Sequence, residues 1–350
     1  MKVDLKNGTA AFIMGHWMVD DEQGRRFLDE AIRSVVDQTD PNWCLIIVDD
    51  HSENEETLEN LRRIENELGS KVKVIYSPEH IGPGPVKNLG IKAAYEMGAP
   101  FVLYIDDDDR SDPRRLEYTR NAFLAQPDVN VVYSSFDVID ENTRIVPEGE
   151  LCDSIREILE GHKEDVLEGE NTWIRLGIEK NYTNLPSCTA VRTDLAMAEP
   201  FPPGTVSEDS NTWYRYAAHP GRFVFLDKIK NQYRICSGTD SRARSMNRKF
   251  YAQKAELDSD GFEKAVKISI KNGLADPDRV DDIRARFYVR LALSMLRGGD
   301  ENEMEKCLKT AVSISSDAAK DAVKALHVDE KEAGVMTSLI NNLSPRTPGP

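Results

Sequence analysis

Four consecutive carboxylates, Asp106 to Asp109, stand directly after an apolar run, Phe101 to Ile105, and Pro113 follows shortly after. Adjacent like charges raise one another's proton affinity unless a cation answers them. Hard divalent cations such as Mg2+ and Mn2+ take oxygen ligands, often one or two carboxylates completed by substrate phosphates. The apolar run has the length of a buried strand, and ligands of open α/β sheets gather at the carboxyl ends of strands. The stretch therefore suits a metal-and-phosphate site at a strand end. As an isolated pattern it also suits a solvated acidic turn.

Other groups with chemical potential are spread along the chain. Asp49 and Asp50 end a second apolar run, where carboxylates accept hydrogen bonds from a nucleobase or ribose, or simply cap a turn. HIGPGPVKNLG, residues 80–90, places Gly82, Gly84 and Lys87 before a helix, so that backbone and ammonium can approach a phosphate. It is neither a P-loop nor G-x-G-x-x-G, and a structural turn reads the same way. Glu208-Asp209 opens a helix after a Pro-Pro-Gly loop, as a cap or as a general base. Tyr233, Arg234 and Ser237 follow a strand, and the arginine suits either a diphosphate clamp or a surface ion pair. The six histidines show no metal-ligand spacing.

The elements that must position these groups are legible as periodicity. Apolar runs at 10–17, 43–48, 72–76 and 101–105 read as strands. Helical spacing covers 25–38, 58–68 (closed by Gly69) and about 86–97. This alternation predicts an α/β fold with a mostly parallel, doubly wound sheet and right-handed crossovers. Further strands are expected at 129–135 and 222–226, with Phe136 to Ile139 following the first of these. A polar insertion is expected at 148–175, a strand and helix start at 187–196, and a helix behind Glu208-Asp209. From about 245 to 343 the chain becomes helix-rich and charged. The division is thus a catalytic unit over 1–244 (donor half about 9–140, acceptor half about 141–244), a helical region over 245–343 and a disordered tail over 344–350.

The totals narrow the class. With 45 basic and 61 acidic residues the net charge is −16, the wrong sign for a nucleic-acid or anionic-lipid partner. No apolar run approaches the roughly 20 residues of a membrane span. The N-terminus MKVDLKNGTA has no signal-peptide apolar region, and five scattered cysteines without C-x-x-C fit a reducing cytoplasm.

In order, these signals resemble the family 2 glycosyltransferases of the GT-A fold. That family's pattern is a first strand, a helix ending S-[VIL]-x-x-Q-T, a D-D-x-S strand end, a G-x-G-x-x-[RK]-N-x-G loop, D-x-D-D with a downstream proline, an E-D pair and a late Y-R. The matching positions are Ser34-Val35 with Gln38-Thr39, Asp49-Asp50-His51-Ser52, Gly82 to Gly90, Asp106 to Asp109 with Pro113, Glu208-Asp209, and Tyr233-Arg234. His51 stands where glycine is usual and Lys87 where arginine is usual. Gly15-His16-Trp17 replaces the P-x-Y-N that often follows the first strand, and the Q-x-x-R-W of processive synthases is missing.

The resemblance, over about residues 9–245, implies an inverting hexosyl transfer from a nucleotide-diphosphate sugar, a UDP-sugar by preference, to an acceptor hydroxyl. It implies Mn2+ or Mg2+ held by Asp108 and Asp106, and donor binding by Asp49, Asp50, Gly82, Lys87, Asp106, Asp107, Glu208 and Arg234. Asp209 would be the general base. The acceptor, whether saccharide, lipid-linked or small metabolite, stays open, and the C-terminal helices would cover the acceptor side or build a homodimer. Rival readings are a sugar-phosphate nucleotidyltransferase, an inactive glycosyltransferase-like binding module and, third, a phosphatase with an aspartyl nucleophile, for which Asp106 to Arg110 lacks the expected threonine. Against the first, the stretch after the first strand, GHWMVDDEQG, is acidic rather than rich in Arg and Lys. The intact carboxylates argue against the second.

Overall fold

A computed structural model describes residues 4–17, 22–180, 182–236, 248–326 and 329–344. Ser237, His327 and residues 345–350 of the expected disordered tail lie outside them.

One sheet of eight strands organises the chain: β1 (Ala10–His16), β2 (Trp43–Asp49), β3 (Val72–Tyr76), β4 (Phe101–Tyr104), β5 (Val129–Ile139), β6 (Gly169–Glu170), β7 (Thr189–Arg192) and β8 (Arg222–Arg234), in the order β3-β2-β1-β4-β7-β5-β8-β6. β3, β2, β1 and β4 are parallel, as the strand–helix rhythm predicts. β7 runs antiparallel between β4 and β5, while β8 returns parallel to β5 and β6 closes the edge. Period-two alternation sets the two faces. Ala10, Phe12 and Met14 of β1 pack toward α1 (Glu22–Val36), α2 (Glu55–Leu68) and α4 (Arg115–Ala125). Ala11 and Ile13 face α3 (Pro83–Glu96), α7 (Thr193–Ala198) and α8 (Glu208–Ala217).

Two expectations are corrected here. β5 is one eleven-residue strand rather than two pieces. β8 continues through residue 234 rather than stopping at 226, because its pairing with β5 shifts register between Ser134 and Ser135 and resumes at Lys230. The polar segment 227–230 at that irregularity hides the strand from pattern reading. The polar stretch after β5 contains α5 (Asp153–Glu164) and α6 (Thr172–Ile178).

Beyond residue 247 come α9 (Arg248–Lys271), α10 (Val280–Arg297), α11 (Glu301–Ile314), α12 (Ser316–Ala325) and α13 (Glu330–Leu343). Their apolar faces are not a separate core. Phe262, Phe287, Leu291 and Met295 join the cluster that holds Ile13, Trp173 and Tyr214. The stripes read from the sequence are therefore buried within the chain and are accounted for without a second copy. Among the described residues no helix is long and apolar enough to cross a membrane.

Candidate active site

The carboxyl ends of β1, β2 and β4 lie side by side, since His16 pairs with Asp49 and the amide of Ile105 donates to Ile13 O at 3.0 Å. The acidic quartet leaves β4 there and divides by environment. Asp106 and Asp107 keep about a third of their side-chain surface exposed (35% and 31%). Asp109 is fully buried, with one oxygen accepting from the Arg234 amide at 2.8 Å and the other without a hydrogen-bond partner among the described residues. Burial, then Asp107 and Asp106, push Asp108 up to about 8; burial, then Asp108 and Asp106, push Asp109 well above the carboxylate range. His16 Nδ1 lies 2.6 Å from Asp107, and the Ser187 hydroxyl accepts the Asp106 amide at 2.9 Å.

The residues of the S-V-x-x-Q-T match hold the far end of this loop. Ser34 Oγ accepts the Ser111 amide at 2.9 Å, and Gln38 donates to Asp112 O at 2.7 Å while accepting the Leu116 amide at 2.9 Å. Arg234 belongs to the same scaffold, which corrects the expectation of a phosphate clamp. Its side chain is fully buried and donates to Asp108 O, Asp140 O, Thr143 Oγ1 and Glu30, with the guanidinium 4.1 Å over the Phe27 ring. The Glu30 carboxylate, the Thr143 hydroxyl and the carbonyls of Asp108 and Asp140 use this cation inside the fold, away from the open cleft.

Asp49 is corrected in the same sense. It is buried, and its two oxygens accept from the Ser52 amide and hydroxyl at 3.0 and 2.5 Å, the cap that the bland reading describes. Asp50 accepts the amides of Ile81 and Gly82 at 2.7 and 2.9 Å and lies 2.9 Å from His80, so it fixes the glycine loop. His51, the next residue, has φ +63°, the left-handed region, which explains physically why glycine suits the position. The glycine loop then starts α3 three residues earlier than periodicity suggests, with Pro83 at its first turn.

Close packing makes α3 the support of the Glu208-Asp209 turn. A Cβ on Gly84 would lie 2.3 Å from Pro202 O, and one on Gly90 would lie 2.5 Å from Ile13. Asn88 exchanges two hydrogen bonds with the backbone of Phe201 at 2.8 and 2.9 Å. Lys87 is buried, 3.4 Å from Glu208 and 4.0 Å from Asp106. Burial opposes its charge, but Asp106, Glu208 and Asp209 together raise its proton affinity above the usual lysine value.

Asp209 faces the same space. Burial first, then the neighbouring Glu208, pushes its carboxyl up to about 7, against the pull of a Tyr182 hydroxyl hydrogen bond and of Lys87. Tyr182 was not foreseen as a site residue: it lies 27 positions away in an irregular segment with no motif. His16 and Ser187 were likewise missed as supports, because only the fold brings them to the acidic loop.

Lys87, Asp106, Tyr182, Glu208, Asp209 and Tyr233 line one cleft of about 1930 Å³, larger than the few hundred to 1,000 Å³ of common small-ligand sites. Trp17 and His80 lie along its wall, and the C-terminal helices contribute Phe250, Arg286 and Leu293. Among the described residues no three His, Cys, Asp or Glu side chains form a closed metal cage. The acidic loop instead offers hard oxygen donors on partly open carboxylates. That donor set fits Mg2+ or Mn2+ held by two carboxylates and completed by phosphate.

A sheet of this order with carboxylates at its strand ends has the α/β architecture of the GT-A type. Residues 22–182 match the family described as glycosyl transferase family 2. It is 22% identical over 228 residues to the uncharacterized glycosyltransferase MJ1057 of Methanocaldococcus jannaschii, covering 65% of this chain and 72% of that protein. It is 30% identical over 93 residues to the putative teichuronic acid biosynthesis glycosyltransferase TuaG of Bacillus subtilis, 27% of this chain and 35% of TuaG. Among solved structures, S. aureus TarS 1-349 in complex with UDP superposes with a TM-score of 0.52 at 17% identity, over 92% and 93% of the two chains. Mannosyltransferase PcManGT from Pyrobaculum calidifontis, in complex with GDP-Man and Mn2+, gives 0.55 at 16%, over 97% and 86%. At these identities the superpositions establish the fold.

Proposed function

We propose that the chain transfers a sugar from a nucleotide-diphosphate sugar to an acceptor hydroxyl with inversion, using Asp209 as general base. The observation that carries this reading is Asp209 itself: a cleft carboxylate pushed up to about 7, oriented by Tyr182, beside Lys87 and Asp106. A base with a proton affinity near working pH balances readiness to accept a proton against strength.

The acceptor oxygen attacks the anomeric carbon as its proton passes to Asp209. The bond from that carbon to the diphosphate breaks, and the electron pair leaves with the nucleoside diphosphate. Attack and departure lie on opposite faces, so the anomeric centre inverts. Asp106 and Asp108 would hold Mg2+ or Mn2+, whose charge offsets the negative charge developing on the leaving diphosphate. Lys87, 3.4 Å from Glu208 and 4.0 Å from Asp106, would add a positive charge for the leaving diphosphate. Asp107, fixed by His16, and Gly82, fixed by Asp50, shape the donor side. Asp49 and Arg234 act through the backbone they hold.

A UDP-sugar remains our preferred donor, and TarS in complex with UDP supports it; PcManGT with GDP-Man makes GDP-mannose the alternative to test. The five cysteines are all free, which suits a cytoplasmic setting. Asp209→Asn should lower transfer by about 10²–10⁴-fold with nucleotide affinity retained. Normal turnover in that variant would remove Asp209 as base. Asp108→Ala should weaken nucleoside diphosphate binding in Mn2+, and unchanged affinity would remove Asp108 from the metal site.

A further inference from the structure

α9 lies beyond the residues that match the family, yet it grips the turn that carries the catalytic pair. Lys254 is buried and lines the cleft. Its ammonium donates to Asp258 at 2.7 Å and to the hydroxyl of Ser207 at 3.3 Å. Ser207 precedes Glu208 with φ +61°, a left-handed conformation that a serine holds only when its surroundings fix it. Asp258 is fully buried, and among the described residues its second oxygen has no hydrogen-bond partner, while the Lys254 ammonium answers the first.

Three more contacts from the same helix face reach the same segment. Thr205 donates to Gln253 at 3.0 Å, and Asn211 donates to Leu257 O at 2.7 Å and to Asp260 at 3.0 Å. A Cβ on Gly204 would lie 2.6 Å from Leu257, so the loop is pressed against α9. Two buried ammoniums thus meet the turn at adjacent residues: Lys87 at Glu208 and Lys254 at Ser207.

We propose that Lys254, held by Asp258, is a positioning residue that fixes the left-handed Ser207 turn and with it the aim of Asp209. The C-terminal helices then complete the active site rather than merely cover it. This inference rests on the reading of Asp209 as base.

Replacing Lys254 alone would strand the Asp258 charge, so the test uses Lys254→Met together with Asp258→Leu, which leaves no unpaired ion in the core. Three measurements are made on the full chain: hydrogen exchange of amides 205–211, calorimetric binding of UDP and GDP with Mn2+, and consumption of UDP-GlcNAc and GDP-mannose. The double variant should melt cooperatively and bind nucleotide as before. Its 205–211 amides should exchange about tenfold faster, and kcat should fall about 10–100-fold with the donor KM within about twofold. Wild-type exchange at these amides, wild-type kcat, or a loss confined to donor affinity would each overturn the proposal. If Asp209→Asn keeps full turnover, the base assignment fails instead. If the unmodified chain consumes neither donor, amide exchange alone decides whether Lys254 fixes the turn.

Discussion

At the scale of single residues, Asp209 joins chemistry to stability. The folded chain holds its proton up to about pH 7, whereas the unfolded chain releases it in the ordinary carboxylate range. Two consequences follow from that sign. Turnover, which needs the deprotonated base, should rise as pH passes through about 7, and a pH profile of kcat/KM flat from 5.5 to 8 would contradict the assignment. Stability should fall as pH rises from the ordinary carboxylate range to about 7 and level off above it, because ionisation is easier in the unfolded chain. Asp209→Asn should therefore melt higher than the parent at pH 8 by about 1–2 kcal/mol, and by less at pH 5. His51 gives a second residue-scale test: His51→Gly should stabilise by about 0.5–1 kcal/mol in chemical denaturation, by releasing a side chain from φ +63°.

Legibility at this scale followed sequence distance. Asp106, Lys87 and Asp209 could be picked out because each sits at a strand end or helix start with a local motif. Tyr182 and His16 could not, since their partners lie 27 and 91 positions away. Arg234 was misassigned for the converse reason: its position after a strand was visible, but the carboxylate and carbonyls that enclose it come from α1 and the acidic loop.

At the scale of elements, the family-like motifs are mostly contacts between elements. Ser34 on α1 and Gln38 just past its end fasten the segment after the quartet, Asp50 just past β2 fastens the start of α3, and Asn88 on α3 fastens Phe201. Gly84→Ala tests this chain of supports, because the added methyl meets a backbone carbonyl 2.3 Å away and not a movable side chain. The 201–207 loop must shift, so turnover should fall by about tenfold or more and stability by about 1–3 kcal/mol. Wild-type values for both would mean that α3 does not set the loop. The strand–helix rhythm of β1 to β4 was readable because each element buries one clean face. β7 was readable as a strand within 187–196 but not in its antiparallel place between β4 and β5, and the second half of β8 was not readable at all. An antiparallel insertion and a register shift leave no period in the sequence.

At the scale of the whole molecule, the C-terminal helices share one core with the sheet. Phe262 on α9 stacks on Phe287 of α10 with ring centroids 3.9 Å apart, Arg290 donates to Gly177 O, and Tyr214 of α8 packs edge-on against both rings. The boundary near 245 that composition marks is thus a change in secondary structure and not in packing. Removing residues 248–350 would expose this aromatic cluster, and the remaining chain should aggregate or lose its cooperative melting transition. A soluble 1–247 fragment with native melting would show that the helices are an independent unit.

The central claim is that the acidic loop and the cleft bind a nucleoside diphosphate through a divalent cation. Its most direct test is calorimetric titration of UDP and GDP into the purified chain, with Mn2+ and again after chelation. Saturable binding of one of the two in Mn2+, weakened about tenfold or more by chelation, is the predicted result. Binding of neither nucleotide in Mn2+, or binding indifferent to chelation, would contradict it.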